Sequence, residues 1–265
     1  MLEPLPTLRK PDRPASPHAR DLPASSALDW LQAGWQDLRT APWSSLAYGL
    51  FLTLMSYTVL WALHASHLLY LALPAISGFL IVGPFLAVGL YEKSRRLAQD
   101  QQIAFSDMLV FRPASGAQLA YAGLLLGLLI LFWLRAADLL YALFFGLVPF
   151  PGAAEALTNA LTTPRGWALI GTGTMVGGLF AAFAFAISVL SIPMLVSRKS
   201  DALTAMGLSF VMTVQNLRPM LAWGVVVAFG LALSAVTGLV GLIVVFPVLG
   251  HGTWHAFQAI AGNGQ

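Results

Sequence analysis

Val82-Gly-Pro-Phe-Leu-Ala-Val-Gly-Leu-Tyr-Glu-Lys-Ser-Arg-Arg96 carries a long apolar run past a proline to an aromatic residue and stops in basic charge. Membrane helices leave the bilayer on the cytoplasmic side in this way. Apolar side chains partition into hydrocarbon, tyrosine into the headgroup layer, and lysine and arginine stay behind. Shorter forms of the pattern recur at Ser191-Ile-Pro193-Met-Leu-Val-Ser-Arg198-Lys199 and at Phe246-Pro247-Val-Leu-Gly-His251, so the chain runs out of the membrane three times on one side. Composition agrees: 58% of the 265 residues are apolar and 9% charged, whereas a soluble domain carries about a quarter charged. The chain reads as an all-α integral membrane protein.

Working outward, each exit follows a similar opening. Leu28, Leu31, Trp35 and Leu38 lie at helical spacing among Asp29, Gln32, Gln36, Asp37 and Arg39, which predicts an amphipathic helix on the membrane surface. Pro42 then suits a first helical turn, where its missing N–H has no partner to lose. Phe105, Met108, Leu109 and Arg112 before Pro113, and Leu203, Met206, Phe210, Val214 and Leu217 before Arg218 and Pro219, repeat the arrangement. The expected fold is six transmembrane helices in three tandem hairpins, each preceded by an amphipathic surface helix. The spans fall at about 46–63, 68–91, 117–134, 168–196, 220–236 and 239–258. The hairpin units are about 28–97, 103–199 and 202–260 within one membrane domain over 28–260.

Pro74, Gly78, Gly83 and Pro84 predict a kinked second span packed in protein. Residues 1–27, with Pro4, Pro6, Pro11, Pro14, Pro17 and Pro23 and no apolar core of signal-peptide length, read as a disordered cytoplasmic tail. Basic residues gather before the first span, after the second and after the fourth, while the outer connections hold Arg165 and Arg135. Both termini are therefore expected in the cytoplasm.

Cysteine is absent, which removes disulfides, thiolate metal sites, cysteine nucleophiles and thiolate-bridged copper. The net charge of +3 is spread in small groups at helix ends, which suits anionic lipid headgroups and argues against nucleic acid. Paired carboxylates, a nucleophile elbow, a phosphate loop and metalloprotease spacing are all missing. Gly171-Thr-Gly173-Thr-Met-Val-Gly177 lies in an apolar run without a preceding strand. Like Gly123 and Gly127, it reads as helix-packing spacing. No catalytic residue and no cofactor is expected.

Two pairs of ionisable residues stand out. Arg135 and Asp138, three apart near the outer end of the third span, are either an intramembrane pair or an interfacial ion pair beyond a span ending at Leu134. His251 and His255, near the cytoplasmic end of the last span, are either a metal or proton site or interfacial histidines standing where the earlier hairpins place Arg and Lys. Their spacing points both imidazoles to one side of a helix, which can chelate a small metal but cannot sandwich a haem. The chain has five histidines, with His18 in the tail and His64 and His67 at an outer turn. It is not expected to be a haem-copper catalytic subunit.

Trp30-Leu-Gln-Ala-Gly-Trp-Gln-Asp-Leu-Arg-Thr-Ala-Pro42, Gly89-Leu-Tyr-Glu-Lys-Ser-Arg-Arg96 and Gly250-His-Gly-Thr-Trp-His-Ala-Phe257 resemble stretches of a bacterial family of predicted integral membrane proteins of unknown function. Some members carry the label of a cytochrome c oxidase subunit, which itself conveys little mechanism. The resemblance runs from about Leu28 to the C-terminus and implies a membrane fold in the bacterial cytoplasmic membrane. The resulting expectation is a non-catalytic accessory or scaffold protein of a membrane complex, the label pointing to a respiratory one. Its partners would be the lipid bilayer and a membrane protein or a second copy of the chain. The alternative is a small transporter or channel whose kinked even-numbered helices line a path.

Overall fold

A computed structural model describes residues 18–68, 71–101, 103–146 and 152–262, and among these the secondary structure is helical with no strand. Helix α1 (Ser26–Arg39) turns into α2 (Pro42–Ala65), which starts on Pro42 as the sequence predicts. The second apolar run is divided into α3 (Ala72–Ser77), α4 (Phe79–Leu86) and α5 (Val88–Leu97). A short α6 (Phe105–Leu109) precedes α7 (Gly116–Phe145). Then come α8 (Ala153–Thr162), α9 (Pro164–Ser188), α10 (Ser191–Ser197), α11 (Ala202–Gln215), α12 (Leu217–Val236) and α13 (Leu242–Ala261).

Among the described residues, four segments are long and apolar enough to cross a membrane: α2, α7, α9 continued by α10, and α12. The two other expected spans take different forms. The second is the broken α3–α5 segment. The sixth is α13, whose second half carries His251, Thr253, His255 and Gln258.

The breaks have identifiable causes. Gly78 separates α3 from α4, and the indole N–H of Trp133 on α7 braces that joint by donating to the Pro74 carbonyl and the Ser77 hydroxyl, each at 3.0 Å. Between α9 and α10, Pro193 cannot donate to the carbonyl of Val189, four residues back. There the Ser209 hydroxyl of α11 inserts into the helical ladder, accepting from the Leu190 N–H at 3.2 Å and donating to the Ala186 carbonyl at 2.7 Å. An inserted side chain of this kind bends a helix while keeping its polar groups satisfied.

Helix α13 sits at the centre, against α1, α2, α5, α10 and α12. Glycines allow the close approach. A Cβ on Gly34 of α1 would stand 2.4 Å from the Val248 carbonyl oxygen, and one on Gly49 of α2 would stand 2.3 Å from that of Ile243. Trp30 of α1 packs edge-on against Trp223 of α12 with centroids 6.0 Å apart. The buried stripe of α1 (Ala27, Trp30, Gly34 and Leu38) is thus covered by protein where the sequence predicts a helix resting on the membrane surface.

One end of the bundle gathers many helix termini. The Ser115 hydroxyl at the start of α7 donates to the Arg198 carbonyl at 2.9 Å, and the Arg20 side chain donates to the Ile260 carbonyl at 2.9 Å. Asn216 accepts from the Arg20 N–H and donates to the His18 carbonyl. Most of the expected tail lies outside the described residues, and its last part is docked here through His18 and Arg20.

Candidate functional site

At this same end, α1, α2, α5 and α13 bring polar residues together inside the protein. Gly89 lets α5 approach α6 and α2, since a Cβ there would lie 2.4 Å from the Met108 carbonyl oxygen and 2.6 Å from the Tyr48 ring. Gly250 lets α13 approach Leu90 of α5. Held this closely, α5 buries every residue from Gly89 to Ser94, and Lys93 is 0% exposed.

A buried ammonium must find acceptors. Lys93 Nζ donates to the Ala41 carbonyl and to Ser45 Oγ, both at 2.7 Å. Ser45 Oγ lies 2.9 Å from His251 Nε2, and His251 Nδ1 lies 2.7 Å from Ser94 Oγ. Ser94 Oγ donates to Asp37 Oδ2 at 2.5 Å, and the same oxygen is 2.9 Å from His255 Nε2.

Counting hydrogens gives this chain a direction. Ser94 has one hydrogen and spends it on Asp37, so His251 Nδ1 must carry the proton it donates to Ser94. A neutral His251 then accepts at Nε2 from the Ser45 hydroxyl, whose oxygen is free to accept from Lys93. Every donor points from the ammonium toward the carboxylate, and the two charges polarise the neutral groups between them.

Electrostatics agree with that polarity. Burial alone would raise the Asp37 carboxyl, but hydrogen bonds from His255 and Ser94 hold it below the usual aspartate value. Burial pushes the Lys93 ammonium down to about 8 against the pull of Asp37, which leaves it charged at neutral pH. Beside the chain, Glu92 accepts from Arg95 at 2.8 Å and from Arg96 at 2.7 Å, and Arg96 reaches Asp107 at 3.8 Å. Burial would raise Glu92 too, and its two arginine hydrogen bonds win, leaving it below the usual glutamate value.

The order hydroxyl, imidazole, carboxylate resembles an activated nucleophile with its base and orienting group. Ser45, however, is 0% exposed and already engaged by Lys93, so no substrate carbonyl can reach it. Both ring nitrogens of His251 are taken by hydroxyls. Among the described residues no three His, Asp or Glu side chains are arranged to hold a metal ion.

The two predicted pairs are placed differently. His251 and His255 converge on Asp37, one through Ser94 and one directly. Arg135 and Asp138 meet at 3.2 Å on α7, with the Arg135 side chain 82% exposed. Helix α7 does not end at Leu134 but runs on to Phe145, and Arg135 stands about 28 Å along it from Gly116.

A second feature lies among α4, α9, α12 and α13, which leave a laterally open cavity of about 450 Å³. Its walls are apolar apart from Thr213, Thr253 and Tyr91. Sequence reading missed Ser45 and Ser94 as the partners of His251, and Lys93 and Asp37 as the groups beyond them. The available signal was the glycine on each side of that histidine, Gly250 and Gly252, which marks close approach of other helices.

Residues 71–197 match the family described as a predicted integral membrane protein (DUF2189). This is a family of unknown function, in agreement with the resemblance in the sequence. The match takes in α3 to α10 and the Gly89–Arg96 motif, and leaves Trp30–Pro42 and Gly250–Phe257 outside. No curated protein and no solved structure matches the chain.

Proposed function

We propose that this multi-pass membrane protein is a non-catalytic component of the bacterial cytoplasmic membrane that works by assembling with another membrane protein or a second copy of itself. The observation that carries this reading is the apolar lining of the cavity among α4, α9, α12 and α13. A polar solute or ion crossing the bilayer needs polar groups near the midplane. Among the described residues, the buried charged side chains, Glu92 and Lys93, are instead at one end and engaged with neighbouring groups there. Two of the prolines that favour a transporter, Pro74 and Pro193, sit at joints filled by Trp133 and Ser209, which speaks for fixed bends there. A respiratory complex is the partner class that the family resemblance suggests.

The reading includes six membrane passages in three hairpins with both termini in the cytoplasm. Arg20, Arg39, Lys93, Arg95, Arg96, Arg112, Arg198, Lys199 and Arg218 at one end, against Arg135 and Arg165 toward the other, support that orientation. Mass spectrometry of material purified in mild detergent should recover a stoichiometric membrane partner or a homo-oligomer. Recovery of a lone monomer under several gentle conditions would overturn assembly as the function. Reporter fusions at Ser66, Asn159 and Thr237 should read outside and those at Asp107 and Asp201 inside, and an outside reading at Asp201 would contradict the topology.

A further inference from the structure

The lateral cavity has dimensions that select its occupant. Its lining on α12 runs from Leu217 to Leu231, a rise of about 21 Å at 1.5 Å per residue. The cavity therefore extends from the headgroup level past the middle of a hydrocarbon core about 30 Å thick. A volume of about 450 Å³ over that length leaves a cross-section of a few tens of Å². A helix with its side chains is about 10–12 Å across, or roughly 80–110 Å², so a partner helix does not fit. A single flexible hydrocarbon chain does.

The walls and the mouth agree. Gly83 on α4 and Gly178 on α9 border the cavity, and a Cβ at either would meet open space. The slot is left open by residues too small to fill it. Leu221 and Val225 line it and are also exposed, at 60% and 69%, so they mark its opening toward lipid. Arg218, exposed in the first turn of α12, precedes them by three and seven residues and so stands on the same helix face. A cation is thus placed at headgroup level above an apolar slot.

We propose that this cleft binds one acyl chain of an anionic phospholipid from the leaflet at the Arg218 end, with the lipid phosphate beside Arg218. The site is independent of which side of the membrane that leaflet faces and of any protein partner, so its failure and the failure of the assembly reading are distinguishable.

The test uses the full chain in nanodiscs of phosphatidylglycerol and phosphatidylethanolamine, with a phosphatidylglycerol probe carrying a photoactivatable acyl chain. Cross-links should concentrate at cleft residues such as Leu221 and Phe79 at least fivefold over Leu54 and Leu128 on the lipid-exposed faces of α2 and α7. Gly178→Leu should reduce cleft labelling severalfold and leave labelling at Leu54 unchanged. Arg218→Gln should remove the preference over the matching phosphatidylethanolamine probe. Should Gly178→Leu not fold, competition in the unaltered chain decides: unlabelled phosphatidylglycerol should suppress cleft labelling more than phosphatidylethanolamine does. Uniform labelling of cleft and outer faces would overturn the site, and equal labelling by both headgroups would overturn the role of Arg218.

Discussion

Lys93 of α5 and Asp37 of α1 are the two ends of one hydrogen-bond chain, joined through Ser45 of α2, His251 of α13 and Ser94 of α5. Four helices are tied together by it, and its two charges are kept far enough inside that each depends on the groups between them.

Removing the anion should therefore cost more than removing the cation. Asp37→Asn leaves a buried ammonium without its countercharge and weakens charge-assisted hydrogen bonds worth about 1.5–3 kcal/mol. A fall in Tm of roughly 4–8 °C in detergent is expected. Lys93→Met replaces the buried charge with an apolar chain of similar length and should cost less. The double variant should show a coupling of about 1 kcal/mol, as residues of one network do. Additive effects would mean that the two ends do not sense each other.

Titration gives a second check. Asp37 and Glu92 both sit below their ordinary values of 3.8 and 4.5 when folded. The unfolded chain takes up their protons first as pH falls, so their stabilisation is present above about pH 5 and lost on acidification through the folded values. Lys93, folded at about 8 against an ordinary 10.5, gives stability that rises between those pH values. Thermal unfolding against pH should show the alkaline rise, and Lys93→Met should abolish it. An unchanged alkaline limb in that variant would show that Lys93 is not its source.

Much of the architecture was legible because hydropathy, proline placement and basic charge act locally. Pro42 opens α2 as its place in the sequence predicts, and the apolar runs became helices. What could not be read is which helices meet. Lys93 reads as one more basic residue at a helix exit, and only the packing of Gly89 against α6 and Gly250 against α5 turns it inward. His251 and His255 were visible as a pair, but Asp37 and Ser45, more than two hundred residues away in sequence, carry no periodic signal that links them. The shape of α1 was foreseen, while its cover was not, because Gly34 facing Val248 is a contact between distant segments.

Glycine contacts are testable singly. Gly34→Ala places a Cβ against backbone and should cost about 1–3 kcal/mol by overpacking. Gly207→Ala in α11 meets open space and should be neutral or stabilising by up to about 1 kcal/mol through helix propensity. Comparable losses in both would show that α1 is not pressed against α13.

Arg135 and Asp138 should matter little. With Arg135 so exposed, Arg135→Gln and Asp138→Asn are each expected to change stability by no more than about 0.5 kcal/mol in detergent. A loss of several kcal/mol from either would mark a pair that is desolvated in the membrane.

The tautomer of His251 reports the direction of the buried hydrogen-bond chain most directly. In ¹⁵N spectra of ring-labelled protein near pH 7, assigned by loss of the signals in His251→Gln, the account predicts a neutral imidazole with a protonated, pyrrole-like Nδ1 and a bare, pyridine-like Nε2. A proton on Nε2, or an imidazolium with both nitrogens protonated, would contradict it.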